Sequence, residues 1–305
     1  CTANIKNEIG KCTYTHMLNQ GAGIETDLTV VCLEKNYFRI ISSAAVRTHD
    51  KAHILKHLSK DIEFKDITDD LICLGIFGPK SRELLSKITN ENLSNENFKF
   101  GTAKYIKVRS LNIWAQRLSY VGELGYELYI SNKNAKEIYD LIVETGKGFN
   151  LTHCGAHTMD TMRMESGFLH WAHDISPEEN QYQSGLNFAI SYKKPFDFIG
   201  KQKLLEIKNQ KIDRRFVMLT LKDSTPGKPL LLHEEPIYLD DKIIGKTTSG
   251  NYSFNYNKNL SFGYINSELT NEQLIDKNLF IEIEKIKYKA QLLLKPLKQG
   301  NFKKI

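Results

Sequence analysis

The chain has 305 residues, with 42 Lys and Arg, 36 Asp and Glu, and a formal net charge of +6. Its length suggests about two domains, and its composition is that of an ordinary soluble globular protein. The lysines are scattered rather than grouped, so the charge does not indicate nucleic-acid binding. No apolar run reaches the roughly 18 residues of a membrane span, and no signal peptide is recognisable. We expect a cytoplasmic protein, or a mitochondrial matrix protein if the source is eukaryotic.

Five cysteines, an odd number without C-x-x-C spacing, favour free thiols in a reducing compartment. Cys154 lies between His153 and His157, a pattern that could ligate a metal, but no second group of ligands supports it. We therefore predict no metal site. Because the chain starts with Cys rather than Met, we expect a fragment or a processed product of a longer protein.

The first two thirds of the chain alternate predicted strand pairs with single helices. The turn at residues 34–36 separates two runs of β-branched and aromatic residues, which predicts a hairpin. Apolar spacing predicts helices at 49–60, 80–88, 134–147 and 157–166, and strands at 71–78, 104–110, 113–121 and 126–130. This order favours an α+β fold with antiparallel or mixed sheets over a doubly wound parallel sheet.

The chain changes character after about residue 210. Strand-like runs at 214–221, 235–250, 260–265 and 279–294 are separated by turns, and only 271–276 has a helical pattern. This pattern predicts a small β-barrel or sandwich. We divide the chain into a region at 1–207 and a C-terminal β-barrel domain at 208–305.

Five motifs occur in a fixed order across nearly the whole chain. They are YTHMLNQGAGIETDLTV, RLSYVGELGYELYI, MRMESGFLHWAHDI, FDFIGKQKL and IIGKTTSGNYS. Together they resemble the aminomethyltransferase family, the T-protein of glycine cleavage. The resemblance is closest to the folate-binding C-terminal portion of sarcosine and dimethylglycine dehydrogenases. It implies α+β lobes around a central channel for tetrahydrofolate, followed by the small barrel.

The chain also departs from that family pattern. Family members carry several dozen more residues before the segment that begins at Tyr14, and the dehydrogenases carry a flavin domain before that. The folate-binding region at 1–207 is therefore expected to be N-terminally incomplete. FAD is not expected in this chain, and any flavin would belong to a missing N-terminal domain.

Asp27 is the expected catalytic residue. The resemblance places an aspartate directly before the Leu-x-Val strand, near the reactive nitrogens of the folate. A positioned carboxylate there can move a proton and stabilise a cationic iminium. Gly21 and Gly23 would let the backbone approach a flat ligand. The alternative is that Asp27 is an exposed turn residue. The resemblance assigns no role to Glu25, which we interpret as a solvated charge.

Four further residues are expected to bind the cofactor. The resemblance implies that Tyr120 lies against the folate and that Glu127 accepts two N–H bonds from the pterin ring. It places Phe168 and Trp171 beside the folate, and the alternative for either residue is a core role. Two other patterns are weaker. The Arg163-x-Glu165 pair favours a structural ion pair, and 248–250 matches a loop of the barrel that faces the channel.

The leading hypothesis is the tetrahydrofolate-binding, one-carbon transfer portion of a sarcosine or dimethylglycine dehydrogenase. It would trap a one-carbon unit derived from a small N-methyl amine as 5,10-methylenetetrahydrofolate, in partnership with a flavin domain. The first alternative is a glycine cleavage aminomethyltransferase served by a lipoylated carrier protein. The second is a non-catalytic regulatory relative, which a failure to bind folate would favour.

Overall fold

The computed structural model describes residues 1–300 and 302–304, which form an α+β fold of thirteen strands and six α-helices. The strands are β1 (Cys12–Leu18), β2 (Ile24–Glu34), β3 (Tyr37–Ile41), β4 (Leu71–Phe77), β5 (Thr102–Val108), β6 (Leu111–Arg117), β7 (Gly125–Ser131), β8 (Arg214–Leu221), β9 (Pro236–Leu239), β10 (Lys242–Ser253), β11 (Lys258–Asn266), β12 (Leu279–Ile283) and β13 (Ile286–Leu293). The helices are α1 (Arg47–His57), α2 (Ser81–Ile88), α3 (Ala135–Gly146), α4 (Ala156–Glu165), α5 (Lys201–Lys208) and α6 (Asn271–Leu274). None of these helices, which cover the described residues only, is long and apolar enough to cross a membrane. The expected α+β class is confirmed.

The chain divides into two compact units that alternate along the sequence. Unit 1 contains residues 1–2, 16–26 and 155–299, and unit 2 contains 3–15, 27–154 and the described residues after 299. Helix α5 ends at Lys208 and β8 begins at Arg214. The domain boundary that we expected after residue 207 stays a prediction.

Unit 2 is built on a four-stranded antiparallel sheet with the order β4-β7-β6-β5. Residues of β7 alternate: Tyr126, Leu128 and Ile130 are buried, whereas Glu127 and Tyr129 between them are half-buried. The buried set packs with apolar residues of α2 and α3 to form the main core of the unit. Because strand side chains alternate between faces, Glu127 and Tyr129 point to the opposite face of this sheet.

That opposite face packs against residues from the three-stranded sheet β1-β2-β3. Cys12, Val31 and Leu33 form a small apolar cluster there with Ala103 and Trp114 of the four-stranded sheet. The guanidinium of Arg39 lies 5.9 Å from the Trp114 ring and 5.8 Å from the Tyr129 ring. Polar and aromatic side chains therefore line part of the space between the two sheets.

The C-terminal part of unit 1 is a closed six-stranded barrel with the strand order β10-β11-β8-β13-β12-β9. Alternate residues of β12, namely Leu279, Ile281 and Ile283, point inward and are almost completely buried. They belong to a cluster of thirteen buried apolar residues that fills the barrel. The expected C-terminal β-barrel is confirmed, and closure leaves it without free sheet edges.

Candidate functional site

Asp27 lies within strand β2 and not in a turn. It is half-buried, and its neighbours Thr26 and Leu28 are buried on the other face. The Tyr14 hydroxyl of β1 donates a hydrogen bond to Oδ2 of Asp27 over 3.0 Å. The pKa of Asp27 is raised to about 6, mainly by burial and to a lesser extent by the charge of Asp50, against the lowering effect of the hydrogen bond from Tyr14. A carboxyl group with a pKa close to neutrality can both take up and release a proton.

Tyr14 is a site residue that sequence reasoning missed. It begins the first family motif, but a tyrosine in a strand is usually a packing residue, and its partner lies on the next strand. Its pKa is raised well above the ordinary value by burial, then by the charge and the hydrogen bond of Asp27, and also by Tyr120. The structure therefore brings Tyr14, Asp27 and Tyr120 together in unit 2.

Asp50 supplies a second carboxyl group near Asp27. It lies in α1, is 3% exposed, and its Oδ1 lies 3.2 Å from Nδ1 of His49. Its other oxygen is buried and has no hydrogen-bond partner among residues 1–300 and 302–304. The charge of Asp50 disfavours ionisation of Asp27, which keeps a proton available at this position.

Glu127 lies on β7, on the face of the four-stranded sheet that is turned away from the main core. The Tyr129 hydroxyl donates to Oε2 of Glu127 over 2.9 Å. Burial raises the pKa of Glu127, and the bond from Tyr129 opposes that effect. The charge of Glu127 in turn raises the pKa values of Cys12 and Cys73, although burial is the larger cause for both thiols. A partly buried carboxylate whose hydrogen-bond donor is a neutral phenol is suited to a ligand edge that donates N–H bonds.

Phe168 and Trp171 belong to unit 1. The Trp171 indole N–H donates to the carbonyl oxygen of Ile24 over 3.0 Å, and the ring packs against the cluster that contains Leu18 and Ile24. Phe168 follows α4, and its backbone bonds the backbone and the guanidinium of Arg163. These contacts give both residues a structural role, and their contact with a ligand stays a prediction.

A buried ion pair fixes the segment after α4. The Arg163 Nη1 lies 2.5 Å from Oδ2 of Asp174, and Nε of Arg163 bonds Asp160 over 2.8 Å. The hydroxyls of Thr248 and Ser249 both donate to Oδ1 of Asp174, at 2.5 and 2.8 Å. Arg163 therefore makes structural ion pairs. The segment 248–250, which we expected to be a barrel loop, lies within strand β10, and its Thr248 and Ser249 side chains bind the Asp174 carboxylate.

Glu165 does not pair with Arg163. It accepts hydrogen bonds from Ser253 over 2.6 Å and from Asn255 over 2.9 Å. The reason is geometric, because residues two positions apart on a helix face different directions.

The glycine-containing segment 19–24 has an internal structural role. A Cβ atom at Gly23 would lie 1.7 Å from the carbonyl oxygen of Pro177. The Asn19 side chain accepts from the Gly23 N–H and donates to the same Pro177 oxygen. The close approach that requires glycine here is to the chain's own backbone, so this position alone does not indicate a ligand.

The H-C-G-A-H segment shows no metal centre. Among the described residues, no group of three or more His, Cys, Asp or Glu side chains could hold a metal ion. The His153 ring nitrogen Nε2 lies 2.8 Å from the Tyr139 hydroxyl, and both side chains are at the surface. A hydrogen bond to a phenol therefore accounts for this histidine.

Comparison with known proteins identifies the family. Residues 1–194 match the GCVT N-terminal domain, and residues 214–298 match the glycine cleavage T-protein C-terminal barrel domain. The chain is similar to human mitochondrial dimethylglycine dehydrogenase, with 34% identity over 300 residues that cover 97% of this chain and 34% of the relative. It is also similar to an aminomethyltransferase of Alkaliphilus metalliredigens, with 30% identity over 98% of this chain and 78% of the relative.

A solved structure, the glycine cleavage system aminomethyltransferase T of Bartonella henselae, shares the fold. Its TM-score is 0.81 at 19% identity, over 96% of this chain and 77% of that chain. The chain spans about a third of the length of the dimethylglycine dehydrogenases that it matches. The two matched regions cover both the N-terminal lobes and the barrel, and the chain therefore belongs to the glycine cleavage T-protein family, which binds tetrahydrofolate.

Proposed function

We propose that this chain is the tetrahydrofolate-dependent, one-carbon transfer portion of a protein of the dimethylglycine or sarcosine dehydrogenase type. It would trap a one-carbon unit from an N-methyl amine as 5,10-methylenetetrahydrofolate. The observation that carries the proposal is the Asp27 carboxyl group. It accepts a hydrogen bond of 3.0 Å from the Tyr14 hydroxyl, and its pKa is raised to about 6. The identity of 34% to a dimethylglycine dehydrogenase over nearly the whole chain supports the choice of amine.

The donor and acceptor groups of unit 2 fit a folate. The pterin ring carries an amino-pyrimidinone edge with N–H donors, and a carboxylate accepts two such bonds side by side. Glu127 offers this carboxylate, and its hydrogen-bond partner among the described residues is the neutral phenol of Tyr129 rather than a cation. We propose that Glu127 binds the pterin edge and that Tyr120 packs against the ligand. Folate contact by Phe168 and Trp171, which belong to unit 1, stays a separate prediction.

Asp27 has a defined task in this reaction. Bound tetrahydrofolate supplies two nucleophilic nitrogens that take up the one-carbon unit. We propose that Asp27 accepts the proton released when a nitrogen forms its bond to carbon. It then returns that proton to the departing amine or hydroxide and becomes negatively charged again. The Tyr14 hydroxyl orients the carboxylate, and the regained negative charge stabilises the cationic carbon centre until the second nitrogen bonds to it. Asp27 takes up the proton that this second nitrogen releases and passes it to solvent.

A coupled assay tests this function. The purified chain is mixed with tetrahydrofolate, dimethylglycine and a flavoprotein that oxidises the amine, and both methylenetetrahydrofolate and free formaldehyde are measured. We expect the chain to divert the one-carbon unit from formaldehyde to the folate, and Asp27→Asn to lose that effect. Equal diversion with and without the chain contradicts the proposal.

An aminomethyltransferase fed by a lipoylated carrier is the second candidate. The observation that favours it is the 30% identity to an aminomethyltransferase over 98% of this chain. The two functions differ in the one-carbon donor. Transfer from an aminomethyl-lipoyl carrier, without transfer from the amine and flavoprotein, would replace the first proposal by the second.

A further inference from the structure

Gln116 is a buried amide side chain that the fold does not satisfy. It is 0% exposed, and neither Oε1 nor Nε2 has a hydrogen-bond partner within residues 1–300 and 302–304. A buried polar group without a partner lowers stability, because its hydrogen bonds to water are lost and not replaced. Native proteins contain few such groups, and each requires an explanation.

The position of Gln116 points to that explanation. It lies directly opposite Glu127 in the antiparallel pairing of β6 and β7. It is the last residue but one of β6, which ends at Arg117. Directly opposed residues point to the same face of the sheet, with Cβ atoms about 4.5–5.5 Å apart. The unsatisfied amide is therefore next to the carboxylate of the proposed pterin site.

The Glu127 carboxylate has acceptor positions for a further hydrogen-bond donor. Oε2 accepts from Tyr129 of the same strand. The charge of Glu127 contributes to the raised pKa values of the Cys73 thiol on β4 and the Cys12 thiol on β1. The guanidinium of Arg39 on β3 lies 5.8 Å from the Tyr129 ring. A carboxylate has about four acceptor positions, so an amide N–H₂ can bond it alongside a phenol and a ligand.

We propose that Gln116 is a positioning residue for the folate site, and that its Nε2 donates to the Glu127 carboxylate when the pterin edge binds. This inference rests on the proposed function. The amide is unsatisfied in the free chain and gains its partner in the complex, so part of the binding free energy comes from removing that defect. The added donor also fixes the carboxylate in the orientation that accepts two parallel N–H bonds.

Two variants separate this role from packing. Gln116→Met keeps the length of the side chain and removes its polar atoms. Trp114→Phe, two residues earlier on the same strand face, removes another buried N–H that has no partner among the described residues. The thermal midpoint of each variant and its dissociation constant for tetrahydrofolate are measured anaerobically, the latter by titration calorimetry.

We expect Gln116→Met to melt at or above the wild-type temperature and to bind tetrahydrofolate at least about 10-fold more weakly at pH 8. The defect should shrink at pH 5, because a protonated Glu127 has less need of a donor. Trp114→Phe should melt lower and bind within about two-fold of wild type. A packing role would give a defect that does not change with pH.

Three outcomes would overturn the inference: unchanged affinity of Gln116→Met, a defect independent of pH, or a variant that fails to fold, since loss of folding would assign Gln116 a structural role instead. Each of these leaves the proposed function intact as long as the wild-type chain binds. A wild-type chain that does not bind tetrahydrofolate removes the proposed function and this inference together.

Discussion

Replacing Asp27 by Asn should raise stability while it removes most of the one-carbon transfer. Burial raises the pKa of Asp27 from 3.8 to about 6, a difference that corresponds to about 3 kcal/mol against the ionised form. The folded chain therefore holds its proton more tightly than the unfolded chain. The stability that comes from this proton is fully present below about pH 4 and is lost as the pH rises through about 6.

An asparagine at position 27 cannot ionise and can still accept from Tyr14. We expect Asp27→Asn to be more stable than wild type at pH 8, by up to about 3 kcal/mol, with the difference falling towards zero near pH 4. In the coupled assay the rate of one-carbon transfer should fall by at least about 100-fold, the usual scale for a lost acid–base group. Tetrahydrofolate affinity should stay nearly unchanged, because the proposed pterin contact is to Glu127.

Urea unfolding at several pH values and single-turnover transfer measure the two effects on the same preparations. Asp27→Glu is the matched control, since it retains an ionisable group and should retain part of the pH dependence. Wild-type turnover by Asp27→Asn would refute the catalytic role. A stability difference that does not change between pH 4 and pH 8 would refute the raised pKa on which the reasoning depends.

Further substitutions have expected outcomes of their own. Tyr14→Phe removes the bond that lowers the pKa of Asp27, so the acidic limb of the pH–rate profile should move to higher pH. Asp50→Asn removes a charge that raises it, so the same limb should move to lower pH; a shift in the same direction for both would contradict the assignment. Glu127→Ala should weaken tetrahydrofolate binding by about 2–3 kcal/mol in calorimetry, with unchanged circular dichroism. Arg163→Met leaves the buried Asp174 carboxylate without its cationic partner and should lower the free energy of unfolding by about 3–5 kcal/mol in urea titrations, whereas a loss below about 1 kcal/mol would show a weak pair.

Long periodic segments were predictable from the sequence. The alternation of apolar residues in β7 and their helical spacing in α3 predict which face of each element is buried, and the same faces are buried in the structure. Two hairpins of the barrel, β9–β10 and β12–β13, were each predicted as one continuous strand-like run. Residues 284–285 turn the chain between β12 and β13 with φ of 51° and 66°, a conformation that usually requires Gly or Asn. Glu and Lys occupy it here, so no turn residue marked the break.

Pairings between distant strands could not be read from the sequence. The Tyr14–Asp27 bond depends on the register of β1 against β2, and the Gln116–Glu127 pair depends on the register of β6 against β7. The pattern of each single strand does not mark these residues as functional. Their role is indicated only by the residue opposite them on the neighbouring strand. Helix α5 was also not predicted, because its apolar spacing is short and irregular, KQKLLEIK.

Calorimetric titration of the purified chain with tetrahydrofolate, beside the Glu127→Ala variant, tests the central claim most directly. We predict saturable binding near one equivalent to the wild-type chain, and affinity lower by about 30- to 150-fold in the variant, the equivalent of 2–3 kcal/mol. Absence of heat from a folded wild-type chain, or equal affinity in the variant, would contradict the claim that this chain binds folate through the carboxylate of β7.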